Sequence, residues 1–428
     1  MGDGACWLRL SGGGAGTCEH GGRMGRGRIV LAALLALAFS ACASRPHGTL
    51  VATHQVPPGA STVDLLVVTT RQPDSSEPGV MFSGERGRGV HFADIEVSIP
   101  PDAGRVVGEV QWPEAPTPNP ATQFATVHAE VLSREAALAT FSARVRKTPK
   151  RQVLLFVHGF NTRFEEAVYR FAQIVHDSNA DVTPVLFTWP SRGRLLQYGY
   201  DHESASYSRD ALESVLQALQ RNRDVGEISI LAHSMGNWVT LEALRQMAIR
   251  NGRIGSKIQN VMLAAPDVDF DVFRRQIAEI GVRPSAFTLF ASRHDDALAA
   301  SRRFWGNPRL GGVDPHASPY QEVFDRDRVR VIDLTSVASS DPLGHSTFAS
   351  SPEVVRSIGV RLAQGQPLKD GQAGVGDHLG MATAGAVSAV GGVAGAAVAA
   401  PFAIIDPVAR ENLGEHLDAA GRGLDPQY

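Results

Sequence analysis

The sequence predicts an α/β protein: a mostly parallel sheet with helices on both faces and an N-terminal β extension. Three observations lead there. Short runs rich in Val, Ile, Leu and Phe alternate with helical stretches along the middle of the chain, and strands apolar along their whole length are those that crossover helices bury on both faces. A small-x-Ser-x-Gly string stands where one such run meets a helix. An acidic residue and then a histidine follow two later strands.

The 428 residues, 43% hydrophobic and 20% charged, suit one large core with appendages. A formal net charge of -3 leaves no basic footprint for nucleic acid. No Gly-rich phosphate loop, dinucleotide fingerprint or zinc-ligand spacing stands out, so the expected chemistry needs no cofactor and no metal.

Residues 1–23 are Gly-rich and without periodicity, and they precede a better start at Met24, so they read as a mis-assigned start. Met24 to Arg28 is basic and Ile29 to Phe39 apolar, the two regions of a signal peptide over 24–41. Phe39-Ser40-Ala41-Cys42 resembles a bacterial lipobox with Phe39 where Leu is usual. The resemblance implies cleavage before Cys42 and lipidation of its sulfur; a plain secretory signal is the alternative. Cys6 and Cys18 precede the cut, so the mature domain carries no free thiol and suits an oxidising compartment. By the same resemblance Ala43 after the cysteine, rather than Asp, favours the outer membrane, at its periplasmic face. Residues 42–60 are then a lipidated cysteine and a tether, Pro46 to Pro58 being its extended part.

A domain is expected over 61–365. Val63 to Thr69 and Ile95 to Ile99 read as strands, and the stretch after them is punctuated by Pro100, Pro101, Pro113, Pro116 and Pro118. Together they suggest an antiparallel extension packed on the main sheet. The main sheet begins with Gln152 to Val157, which runs into His158-Gly159-Phe160-Asn161, where Gly159 lets a loop bend towards a substrate. Val185 to Trp189 is the next strand. Ala211, Leu212, Val215, Leu216 and Leu219 form a helical core stripe. Ser229 to Ala232 is a strand and leads into Ala232-His233-Ser234-Met235-Gly236, after which a helix runs from Asn237 to Ile249. Val261 to Ala264 is followed by Asp267 and Asp269. Phe287 to Ala291 ends in Ser292-Arg293-His294-Asp295-Asp296, and Val329 to Leu334 precedes the loop with Gly344-His345-Ser346. Val354, Val355, Ile358 and Leu362 make a last core stripe.

A serine on a strand-to-helix turn, then an acid, then a histidine is the chain order of an α/β-hydrolase triad. A serine hydroxyl is a poor nucleophile until an imidazole takes its proton, and a carboxylate holds that imidazole in the right tautomer. Ser234, His345 and Asp295 are the expected nucleophile, base and acid. Asp296 competes with Asp295, and Asp267 and Asp269 are weaker competitors. Backbone N–H groups of Phe160 and Met235 are the expected oxyanion hole, the latter helped by a helix dipole. Each residue has a plainer reading: Ser234 and Asp295 as helix N-caps, His345 as a surface histidine, and His158, His233 and His294 as structural.

With these segments in view the chain resembles a bacterial family of α/β-hydrolase-fold, esterase-like proteins of unknown function, many of them lipoproteins. The resemblance runs from about Val63 to Gly365 through Leu155 to Asn161, Phe187 to Ser191, Ala232 to Gly236, Ala291 to Leu298 and Gly344 to Ser346. It implies a hydrolase-type site with Asp295 as the acid. The expected protein is an envelope-anchored serine hydrolase that cleaves a small or lipid-like acyl ester; an acyltransferase or a non-catalytic scaffold on the same fold are the alternatives.

The tail, 366–428, is Gly/Ala-rich. Leu379 to Ile405 is uncharged, with Gly391 and Gly395 in a G-x-x-x-G. Its length permits a membrane span, but Gly and Ala add little transfer energy and Pro401 interrupts its end, so a helix lying on the domain or on lipid fits equally. Ala409 to Leu417 reads as a solvated helix.

Overall fold

The structure, a computed structural model, describes residues 45–281 and 287–364. The start at 1–23, the signal segment, Cys42 and the Gly/Ala-rich tail lie outside the described residues. Among the described residues nine strands form one sheet in the order β3-β2-β1-β5-β4-β6-β7-β8-β9. The strands are β1 (Ser61–Pro73), β2 (Phe82–Ile99), β3 (Ala125–Leu132), β4 (Gln152–Val157), β5 (Thr183–Thr188), β6 (Glu227–His233), β7 (Ile258–Ala264), β8 (Phe287–Ala291) and β9 (Arg330–Asp333).

From β1 to β9 neighbouring strands run parallel, and β2, antiparallel to both β1 and β3, is the one strand that runs against the rest of this sheet. The parallel part is buried along its length: every residue of β4, β5 and β8 is buried, as strands covered on both faces require. Side chains alternate across it. Leu155 and Val157 face α1 (Arg134–Val145), α3 (Tyr198–Arg221), α4 (Gly236–Asn251) and α5 (Phe270–Ile280). Leu154 and Phe156 face α2 (Phe164–Ser178) and α9 (Pro352–Gln364). The shorter helices α6 (Asp296–Trp305) and α7 (Tyr320–Arg326) lie between β8 and β9, and α8 (Thr347–Ser350) follows β9.

Two expectations change at the amino terminus. The extension does not lie on the sheet but continues it edge to edge, because Leu66 to Thr69 of β1 pair in parallel with Val185 to Thr188 of β5. The segment read as a tether is docked from Arg45 on. Thr49 and Leu50 are buried, and the N–H groups of Leu50 and Thr53 donate to Gly79 and Thr126. No helix among the described residues is long and apolar enough to cross a membrane.

β4 lies between β5 and β6, so the chain leaves β4 on one side and returns on the other. The crevice at the carboxyl ends of β4 and β6 is therefore a topological switch point, where ligands collect in open α/β sheets. Both His158 to Asn161 and Ser234 stand there.

Candidate active site

β6 ends at His233 and α4 begins at Gly236, which leaves two residues for the turn. Ser234 takes a φ of 53°, a left-handed backbone that a non-glycine residue adopts only under constraint. The constraints are visible. Its N–H donates to Ala264 at 2.9 Å, its carbonyl accepts from Asp267 at 3.2 Å, and the Asn237 amide donates to the carbonyls of both Ser234 and Ala264 at 3.0 Å. Ser234 does not cap the helix, since Met235 occupies the cap and no side chain bonds there. Its hydroxyl stays at the pocket. Gly236 allows this close seat: a Cβ on it would lie 2.4 Å from the His158 carbonyl oxygen. Gly159 acts in the same way and not through left-handed freedom, because a Cβ there would lie 2.8 Å from the Cβ of Ser234.

His345 Nδ1 donates to Asp295 Oδ2 at 2.7 Å. Asp295 also caps α6, its Oδ1 accepting from the Leu298 N–H at 2.9 Å, so the two readings of this residue hold together, one oxygen each. The competing acids are engaged elsewhere. Asp267 accepts from Arg309, Ser301 and Tyr198 at 2.6 to 2.7 Å, Asp269 caps α5, and Asp296 lies in the first turn of α6 with its N–H on the Leu343 carbonyl. Burial works to lower the His345 pKa, but the Asp295 charge and hydrogen bond outweigh it, and the group is raised above the ordinary histidine value.

Residues around the triad hold this geometry: His233 and His158, which the sequence reading took as structural, and Asp341, Asp201 and Arg71, which it passed over. His233 donates from Nε2 to the His345 carbonyl at 3.2 Å and packs on Phe348. Burial drives its pKa well below the usual value, so it stays a neutral brace. Asp341 accepts from the N–H groups of Leu343 and Ser346 and shapes the His345 loop. On the other side, Asp201 accepts from the Asn161 and Arg192 N–H groups and from the Ser191 hydroxyl. Beneath the Phe160 loop Arg71, fully buried, donates to the carbonyls of Thr162 and Ser191. His158 stacks on Trp189 at 4.8 Å, donates from Nδ1 to Gly159 and accepts from the Trp189 N–H. Burial first and Arg71 second push its pKa down to about 3, which suits a structural role. His294 bonds the Thr335 carbonyl away from the pocket.

Ser234 and His345 line one pocket of about 140 Å³ together with Phe160, Asn161, Tyr198 and Leu298. Among the described residues the N–H groups of Phe160 and Met235 make no hydrogen bond, and Ser234 Oγ makes none to His345; free enzymes often align such groups only when substrate is bound. The pocket is therefore lined by a serine at a strained turn, an imidazole fixed by a buried carboxylate and Phe160, whose N–H is unengaged, as is that of Met235 next to Ser234.

The sequence profile described as "Alpha/beta hydrolase of unknown function (DUF900)" matches residues 133–361. An uncharacterized protein of Nostoc sp., alr1448, is 21% identical over 240 residues, which cover 42% of this chain and 62% of the relative. This chain thus spans less than two thirds of the length of that curated relative.

Proposed function

The chain belongs to the alpha/beta hydrolases of unknown function, and from that premise we propose that it is a serine hydrolase cleaving carboxylic esters or thioesters through a Ser234 acyl-enzyme. His345 takes the proton of Ser234 Oγ as the oxygen attacks the acyl carbon. Asp295 keeps Nδ1 protonated, which leaves Nε2 as the base, and stabilises the imidazolium that forms. The Phe160 and Met235 N–H groups receive the oxyanion. Protonated His345 then gives its proton to the leaving alcohol or thiol, and water repeats the sequence to release the acid. The observation that carries this reading is the 2.7 Å bond from His345 to Asp295 beside a serine at a φ of 53°.

The same proposal places the protein at a bacterial envelope membrane, held by lipid on Cys42 and facing the periplasm. The experiment for the site is fluorophosphonate labelling of wild type and Ser234→Ala alongside turnover of activated esters. Wild type should label, and the variant should lose labelling and about a million-fold in turnover. Labelling that persists in the variant would remove Ser234 from the role.

A further inference from the structure

On the reading of Ser234 as nucleophile, we propose that the enzyme selects short acyl chains of about four to six carbons, a cavity of about 150 Å³ being filled by one benzene ring, and that Leu298 is the wall that sets this limit. The Ser234 pocket measures about 140 Å³. That volume matches a butyryl or hexanoyl group and is well short of the acyl chain of a membrane lipid.

Its lining does not yield easily. Tyr198 donates its hydroxyl to Asp267 Oδ2 at 2.6 Å, while Ser301 and Arg309 donate to Oδ1 at 2.6 and 2.7 Å. Phe160 stands edge-on to Tyr198 with ring centres 4.9 Å apart. Pushing into these groups would strand a buried carboxylate, so a longer chain cannot be accommodated there cheaply.

Leu298, 2% exposed, borders this pocket and also a second cavity of about 680 Å³ lined by Arg293, Arg302 and Arg309. On one side it is closely backed by the backbone of Gly311 and Gly312. A Cβ on Gly311 would lie 2.7 Å from Leu298 Cδ1, and one on Gly312 would lie 3.5 Å from its Cβ. One isobutyl group thus parts a small space from a large one. Removing it joins the two, whereas enlarging its neighbour Ala297, which lines the small pocket, fills what space there is.

The test uses the full chain. Competent enzyme is first counted by fluorophosphonate labelling, and kcat/KM is then measured on p-nitrophenyl esters from acetate to palmitate for wild type, Leu298→Ala and Ala297→Leu. Wild type should peak at butyrate or hexanoate and fall at least tenfold by dodecanoate. Leu298→Ala should move the peak to octanoate or beyond, and Ala297→Leu should move it to acetate. The second variant keeps the test open if the first fails to fold. A labelled wild type whose kcat/KM climbs through dodecanoate overturns the selectivity while leaving the hydrolase reading in place. Identical profiles in all three proteins overturn the role of Leu298. Absence of both labelling and ester hydrolysis in wild type overturns the hydrolase reading and this one with it.

Discussion

Asp295 divides its two oxygens between a helix and a histidine, Oδ1 on the Leu298 N–H and Oδ2 on His345. An amide at this position keeps the shape but presents either a carbonyl or an NH₂ to His345, and it cannot stabilise an imidazolium. Asp295→Asn should therefore lower turnover by roughly three to four orders of magnitude, while Asp296→Asn changes it little; steady-state kinetics of the two variants on one ester decide it, and the reverse ranking would move the acid. The pH dependence comes from the same pair. The base must be neutral to act, and Asp295 raises the His345 pKa above the ordinary value despite burial. Turnover should rise with pH through one ionisation above about 6.5, the unperturbed histidine value. A midpoint below that value, or a flat profile, would contradict the pairing. Ser234, Asp295 and His345, the proposed triad, could be picked out of the sequence because each comes after a strand in a fixed order. Asp201 and Arg71 could not be, because each acts through backbone groups of a distant loop, Asp201 reaching Asn161 across 40 positions and Arg71 reaching Thr162 across 91, and no local string reports such a contact.

At the scale of elements, the turn between β6 and α4 is tight because α4 presses onto the carboxyl end of β4. Gly236 is the point of contact: a Cβ would stand 2.4 Å from the His158 oxygen and 2.7 Å from that of Val157, and both are backbone atoms that cannot swing away. Gly236→Ala should destabilise the fold by about 1–3 kcal/mol, as overpacking does, read as a lower denaturant midpoint with an unchanged slope. An unaltered midpoint would mean that the helix can shift outward without loss. The central strands were readable because their apolar runs are buried on both faces, β4 and β8 to the residue. β3 was not. It is an edge strand whose pattern Ala-Thr-Val-His-Ala-Glu-Val-Leu is half exposed, so its apolar signal is diluted, and its partner Phe82–Ile99 carries glycines and charges that masked most of its length.

For the whole molecule, the first described residues tie the amino-terminal segment to the site. Arg45 donates to the side chain and carbonyl of Asn161 at 2.9 and 2.6 Å, to the Gly193 carbonyl at 2.8 Å and to the Glu166 carboxylate. Asn161 lines the Ser234 pocket. Pro46 to Pro58 looked like a tether because prolines and polar residues read as linker, while the Arg45 contact joins residues 116 positions apart. Cys42 is three residues before Arg45. Two substitutions should then separate anchoring from catalysis. A diacylglyceryl group supplies stable membrane binding at about 0.8 kcal/mol per buried methylene, so Cys42→Ser should abolish palmitate incorporation and membrane fractionation but leave turnover of a soluble ester unchanged. Arg45→Ala should keep the protein on membranes and lower that turnover roughly ten- to a hundredfold, because the Phe160-Asn161 loop loses the cation that fixes it and a small displacement of an oxyanion donor is costly. If Cys42→Ser stays membrane-bound without label, the anchor lies elsewhere in the chain; if Arg45→Ala retains full turnover, the docked segment does not position the loop.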